Sequence, residues 1–214
     1  ALTARLAVAG ESVAALNGET YTATGVETVI ADSAAVQGFG GVIGGALSAV
    51  SDQTVNVVLE AALFDPVATA TTGRTHTINT DSRYRFERGV DPAFLDAGMA
   101  IAAAMIQQLC GGTVSQMADA GSTPAWAKTV AFNPERVASL GGMQLDDARI
   151  QDILTKLGFG VGASNLPWQV SVPSWRSDVD GPADLVEDVL RIEGIDKIAS
   201  VALPPRAHKA GQTL

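Results

Sequence analysis

Between residues 4 and 64, short apolar runs alternate with glycine and asparagine: ARLAVAG (4–10), ESVAALNGE (11–19), VETVIAD (26–32), VQGFGGVIGG (36–45) and TVNVVLEAALF (54–64). β-Branched runs punctuated in this way predict strands, and Asn17-Gly18 predicts a hairpin turn between two of them. The pattern then changes period. Asp91-Pro92 reads as a helix start, with Asp as N-cap and Pro in the first turn, and Gly111-Gly112 reads as its stop. Between them Phe94, Leu95, Met99, Ile101, Met105 and Leu109 spread apolar groups over a wide arc. Such a helix is expected to be buried against the sheet.

Near residue 120 the pattern breaks again. AGSTPAWAK (120–128) is small, polar and proline-bearing, as a connection would be. Asn133-Pro134 then opens a short helix that ends near Gly141-Gly142, and Asp146 opens another in which Ile150, Ile153, Leu154 and Leu157 recur at helical spacing. GFGVGASNLPWQVSVPSW (158–175) alternates like a hairpin, and GPADLVEDVLRIEG (181–194) is a further helix with Pro182 in its first turn. The fold expected is α+β: a β-rich, sandwich-like domain with a buried helix over residues 1–122, then a small winged-helix-like module over residues 123–198. LPPRAHKAGQTL (203–214) falls in a stretch, residues 199–214, expected to lead into further domains. The first residues, ALTARLAV, carry no Met and are expected to enter a strand almost at once, so a piece of a longer protein is expected.

Composition narrows the classes. The chain has 214 residues, 47% of them hydrophobic, which suffices for a well-buried core and argues against global disorder. A net charge of -9 argues against a broad grip on a nucleic-acid backbone, because phosphate contact needs clustered Lys and Arg. Cys110 is the sole cysteine, so no internal disulfide is possible, and its apolar surroundings predict a buried structural thiol. No charged segment precedes an apolar signal core, and Asp96, Gly98 and Gln107-Gln108 interrupt the alanine-rich run, so neither export nor membrane spanning is expected.

One stretch departs from this economy of charge. TDSRYRFERGVDP (80–92) places Arg83, Arg85 and Arg88 among Asp81, Glu87, Tyr84 and Phe86. The plain account is a solvated, self-paired face. Alternation of Tyr84 and Phe86 with the arginines predicts a half-buried strand or extended segment, with Glu87 and Arg88 paired near the next helix. GFGGVIGG (38–45) invites a phosphate-loop reading, but it lacks the Lys-Ser/Thr ending and no amphipathic helix follows at once, so a tight strand-turn-strand is preferred. A pure interaction or nucleic-acid module is a second rival. The helix from Asp184 is acidic, which disfavours DNA readout.

GVIGG (41–45), NVVLEAALFDP (56–66), TDSRYRFERGVDP (80–92), PSWRSDV (173–179) and DLVEDVLRIEGIDKI (184–198) occur in this order. Taken together they resemble the bacterial phenylalanyl-tRNA synthetase β-subunit family, over nearly the whole chain: the latter part of its B3/B4 editing domain, then its B5 domain. The resemblance implies a cytoplasmic enzyme that supports phenylalanyl-tRNA formation and hydrolyses tyrosine wrongly esterified to tRNA(Phe). It further implies an α2β2 heterotetramer with the α subunit, tRNA(Phe) as partner, neither membrane nor DNA, and ATP used by the whole enzyme without being bound by this segment. A synthetic pocket that merely excludes a hydroxyl discriminates poorly, so a second site that demands the hydroxyl restores accuracy.

By resemblance Glu60 matches the glutamate that meets the tyrosine hydroxyl, Gly44 the glycine where a side chain would block the aminoacyl group, and Thr80 with Ser82 the opposite wall. Ser82 stands where the family commonly has alanine, and Gly45-Ala46-Leu47-Ser48-Ala49 where it has Gly-Glu-His-Ser-Gly. The family's editing histidine lies upstream of Ala1. Neither His76 nor His208 matches it, and His76, beside a Gly-Arg turn, is expected at the surface. No catalytic residue is assigned. Asp178, Asp184, Glu187 and Asp188 match acids that hold a Mg²⁺ shared with the α subunit, the last replacing a usual Glu. Their spacing places Asp184, Glu187 and Asp188 on one helix face, expected to be accessible, with Leu185, Val189 and Ile192 on the other. Acids in a first helical turn also complement the helix dipole without any metal.

Overall fold

The computed structural model describes residues 2–203. It divides into two compact units: the first runs to Trp126 and takes in Ser174–Asp178, and the second comprises Ala127–Pro173 and continues from Val179. The α+β class expected from the sequence holds for both. No described helix is long and apolar enough to cross a membrane.

In the first unit the punctuated runs form strands β1 (Thr3–Leu6), β2 (Ser12–Ala14), β3 (Thr20–Thr22), β4 (Thr28–Ala31), β5 (Val36–Phe39) and β6 (Ile43–Gly44). β1, β4, β5 and β6 make an antiparallel sheet in the order β1-β4-β5-β6, while β2 and β3 pair as a separate hairpin across the Asn17-Gly18 turn. Gly18 takes φ 84°, a left-handed conformation that suits glycine. The hairpin is tied to the larger sheet where Leu16 N donates to the Gly44 carbonyl at 3.0 Å and Ala46 N to the Ala14 carbonyl at 2.8 Å. Val13, Val29, Phe39 and Val42, drawn from both sheets, form the centre of one buried cluster. Each such side chain contributes about 1.5–3 kcal/mol on burial.

Beyond β6 the structure corrects several expectations. Residues 54–64 do not form a strand; the run joins no ladder, and Val55 and Val58 are exposed. Pattern alone cannot supply a pairing partner. A helix absent from the sequence reading, α1 (Pro66–Thr75), follows, capped by Asp65, whose side chain accepts from Ala68 N at 2.7 Å. Its threonines and Gly73 are poor helix formers, which hid it. The charged stretch is no extended segment: it forms helix α2 (Asp81–Phe86), with Thr80 as N-cap. Glu87 does pair with Arg88, at 3.0 Å, and also with Arg83, at 2.9 Å.

Helix α3 (Leu95–Cys110) exists but starts later than expected, since Asp91 caps only a local turn through Ala93 N and Phe94 precedes the first helical residue. None of its residues is buried, contrary to the core role expected. Leu95, Met99, Ala102 and Ile106 are half-covered, whereas Ile101, Met105 and Leu109 lie on its open side. Its apolar arc is wider than the surface that meets it. Cys110, expected to be buried, is exposed at the helix end.

The second unit holds β7 (Lys128–Phe132), α4 (Arg136–Ser139), α5 (Asp147–Lys156), β8 (Gly160–Gly162), β9 (Trp168–Val172) and α6 (Pro182–Glu193), then a short 3₁₀ turn at Ile195–Lys197. The predicted hairpin gains a third strand, because β7, absent from the sequence reading, pairs with β9 in the order β7-β9-β8. Register sets Val130 opposite Val170 and Phe132 opposite Trp168, all facing inward. Ile150, Ile153 and Leu154 of α5 and Leu185, Val186 and Val189 of α6 complete this core. Residues 204–214, with most of the expected connecting stretch and His208, lie outside the described residues.

Candidate functional site

The first unit contains a cleft of roughly 780 Å³ whose walls come from segments far apart in sequence. The β5–β6 turn supplies one wall, the run 54–64 another, and α2 with the start of α3 a third. Gly44, Glu60 and Ser82 all line it. Thr80 does not; its hydroxyl donates to the Val42 carbonyl at 2.6 Å and accepts from Arg83 N at 3.1 Å, so it joins α2 to the β5–β6 turn. Three of the four expected pocket residues are thus brought together, and the fourth acts from behind the wall.

A Cβ added at Gly44 would stand 3.0 Å from Leu16 Cδ1, so a larger residue there would press on the exposed Leu16 side chain. Glu60 is exposed as a residue, but the atoms around its carboxyl strip enough water to push its pKa above the ordinary 4.5. A carboxylate so placed is a strong acceptor that gains from meeting a hydroxyl donor. Phe64 and Phe86 also line the cleft and meet edge to face, centroids 5.1 Å apart at 65°. Sequence reasoning missed both. Ser82 and Phe86 stand four apart on α2, so a helical reading of the charged stretch would have put them on one face.

His76 is corrected from surface residue to buried partner. Its Nε2 lies 2.8 Å from Glu27 Oε1, its side chain is 8% exposed, and its ring stacks on Phe39 at 4.9 Å. Glu27 is fully buried and also accepts from Thr24 Oγ1 at 2.7 Å and from the amides of Thr24, Gly25 and Val26. The signal was a lone Glu ahead of the VIA strand, which periodicity could not distinguish from a surface acid.

Three of the four acids of the expected metal site are engaged within the chain. Asp178 forms two hydrogen bonds with Arg176, at 2.8 and 2.7 Å, and clusters with the first unit. Asp184 accepts from the amides of Asp180 and Gly181, both at 2.8 Å, which closes the first turn of α6. Asp188 is not on an accessible face: it is 4% exposed and bonds Arg191 at 2.8 Å. Glu187 is exposed, and so is Ile192, at 43%, on the face opposite the acids. Among the described residues no group of three or more His, Cys, Asp or Glu side chains is arranged to hold a metal ion. Taken alone, the described residues of this chain therefore form no complete Mg²⁺ cage.

Residues 1–111 match the B3/4 domain family and residues 130–195 the tRNA synthetase B5 domain. The chain is similar to phenylalanine–tRNA ligase β subunits of Paramagnetospirillum magneticum (46% identity over 94% of this chain) and Rhodospirillum rubrum (46% over 95%). That of Novosphingobium aromaticivorans is 44% identical over 95% of the chain. A B3/4 fold bearing a cleft and followed by a B5 domain defines a class of synthetase subunit. The chain belongs to the B3/4 domain family, and the relatives it resembles are phenylalanine–tRNA ligase β subunits. It spans about a quarter of the length of the curated relatives it matches.

Proposed function

We propose that the cleft is the editing pocket of a phenylalanine–tRNA ligase β subunit, where the tyrosyl group of mischarged tRNA(Phe) is recognised for hydrolysis. The observation that carries this reading is the meeting of Gly44, Glu60 and Ser82, from three separate segments, on one cleft, with the Glu60 carboxyl partly desolvated. A tyrosyl hydroxyl would satisfy that carboxyl. A phenylalanyl ring would leave it facing hydrocarbon, at a cost of about 1–3 kcal/mol.

Glu60 is in this reading a specificity contact and no nucleophile. Neither His76, which is locked to Glu27 away from the cleft lining, nor any residue that lines the cleft is assigned the hydrolytic step. The chain would act in the cytoplasm with the α subunit and tRNA(Phe), and ATP chemistry would lie outside it. In the complete enzyme, Glu60→Ala should reduce the ratio of tyrosyl to phenylalanyl ester hydrolysis by about tenfold while hydrolysis itself persists. Deacylation rates on both mischarged and cognate tRNA test this, and an unchanged ratio refutes the role.

A further inference from the structure

Glu60 sits on a segment that no ladder holds. From Val55 to Leu63 the described backbone forms no hydrogen bond to a strand, and most of its side chains face solvent. Behind it the chain is fixed only by the turn in which Thr54 N donates to the Ser51 carbonyl at 3.0 Å. Ahead of it Asp65 caps α1. A selective acceptor on so loose a strand needs something else to set its reach.

The geometry points to Phe64 as the positioning residue for Glu60. Its ring lies flat against the main chain of the β5–β6 turn: a Cβ on Gly40 would come 2.5 Å from Phe64 Cε1, and one on Gly41 2.9 Å from Phe64 Cδ2. Gly41 also takes φ 71°, so glycine is required there for conformation as well as space. Phe86 of α2 closes the far side of the slot by its edge-to-face contact with Phe64. Two glycines and one aromatic thus form a socket, and Phe64 is the plug. Only Ala61, Ala62 and Leu63 separate the plug from Glu60, so the seated ring limits how far the carboxyl can swing away from the wall that holds Gly44.

This inference rests on the editing reading, and the two can fail separately. In the complete synthetase, Phe64→Ala should lower the tyrosyl-to-phenylalanyl deacylation ratio by about tenfold, approaching the loss caused by Glu60→Gln. Phe64→Leu, which still fills the slot, should restore most of the ratio. Gly40→Ala, which displaces the ring without removing it, should reproduce the loss and serves if Phe64→Ala does not fold. Because Phe64 acts through Glu60, adding Phe64→Ala to Glu60→Gln should change the ratio no further. A ratio that survives Phe64→Ala or Gly40→Ala, or that falls again in the double variant, overturns the positioning role alone. A ratio untouched by Glu60→Gln overturns both readings.

Discussion

Glu27 and His76 show how a single buried pair can define a unit's response to acid. Burial opposes ionisation of Glu27, but the Thr24 hydroxyl, His76 and the surrounding amides outweigh it and hold the carboxyl at about 2, against an ordinary value near 4.5. Because the folded value lies below the unfolded one, this carboxylate contributes stability that is complete above about pH 4.5 and is lost as pH falls towards 2. Glu27→Gln should therefore flatten the acid limb of the stability profile, and it should cost on the order of 3–5 kcal/mol at neutral pH by leaving a buried network broken. Thermal unfolding followed from pH 7 to pH 3 checks both, and an acid limb equally steep in the variant would remove Glu27 as its source. The residues of the cleft were legible through resemblance, since Gly44, Glu60 and Ser82 lie in quoted motifs. Glu27, Phe64 and Phe86 were not, because their roles depend on contacts 49, 24 and 22 positions away, beyond any local period.

Helices were legible in proportion to how cleanly one face met a core. α5 and α6 carry apolar residues at helical spacing, and the structure places them where the pattern did, with Asp146 capping α5 through Arg149 N at 2.7 Å. α2 was misread because Tyr84 and Phe86 sit two apart, as in a strand, although Thr80 offers an N-cap. Asp65-Pro66 and Asp91-Pro92 are the same signal, yet only the first caps a helix directly. On α6 the acids present a choice between capping and metal binding. The hydrogen bonds favour capping, so Asp184→Ala should destabilise the second unit by about 1 kcal/mol in magnesium-free buffer. Calorimetric titration of Mg²⁺ should give no saturable heat with this chain alone; binding that appears once the α subunit is added would support a shared ion, and the same null in both would leave these acids to capping and ion pairing.

At the scale of the whole molecule the chain has two cores and not one. The cluster around Val29 and Phe39 and the cluster around Phe132, Leu154 and Leu185 share no residue, the first built on the four-stranded sheet with the β2-β3 hairpin and the second on the β7-β9-β8 sheet. The sequence reading missed β7, because an alternating KTVAF followed a small, polar stretch without a turn signal of its own. Separate cores predict separate cooperative units. Leu154 is fully buried, so Leu154→Ala should cost the second unit about 2–5 kcal/mol through lost contacts and a residual cavity. Hydrogen exchange should then show protection falling together in β7, β9 and α5 while amides of β4 and β5 keep theirs. Acid should act in the opposite order, opening the first unit before the second, because the deeply buried carboxylate whose pKa is held at about 2 belongs to the first. If Leu154→Ala instead lowers protection equally in all five elements, the two units unfold as one and the separate-core account fails.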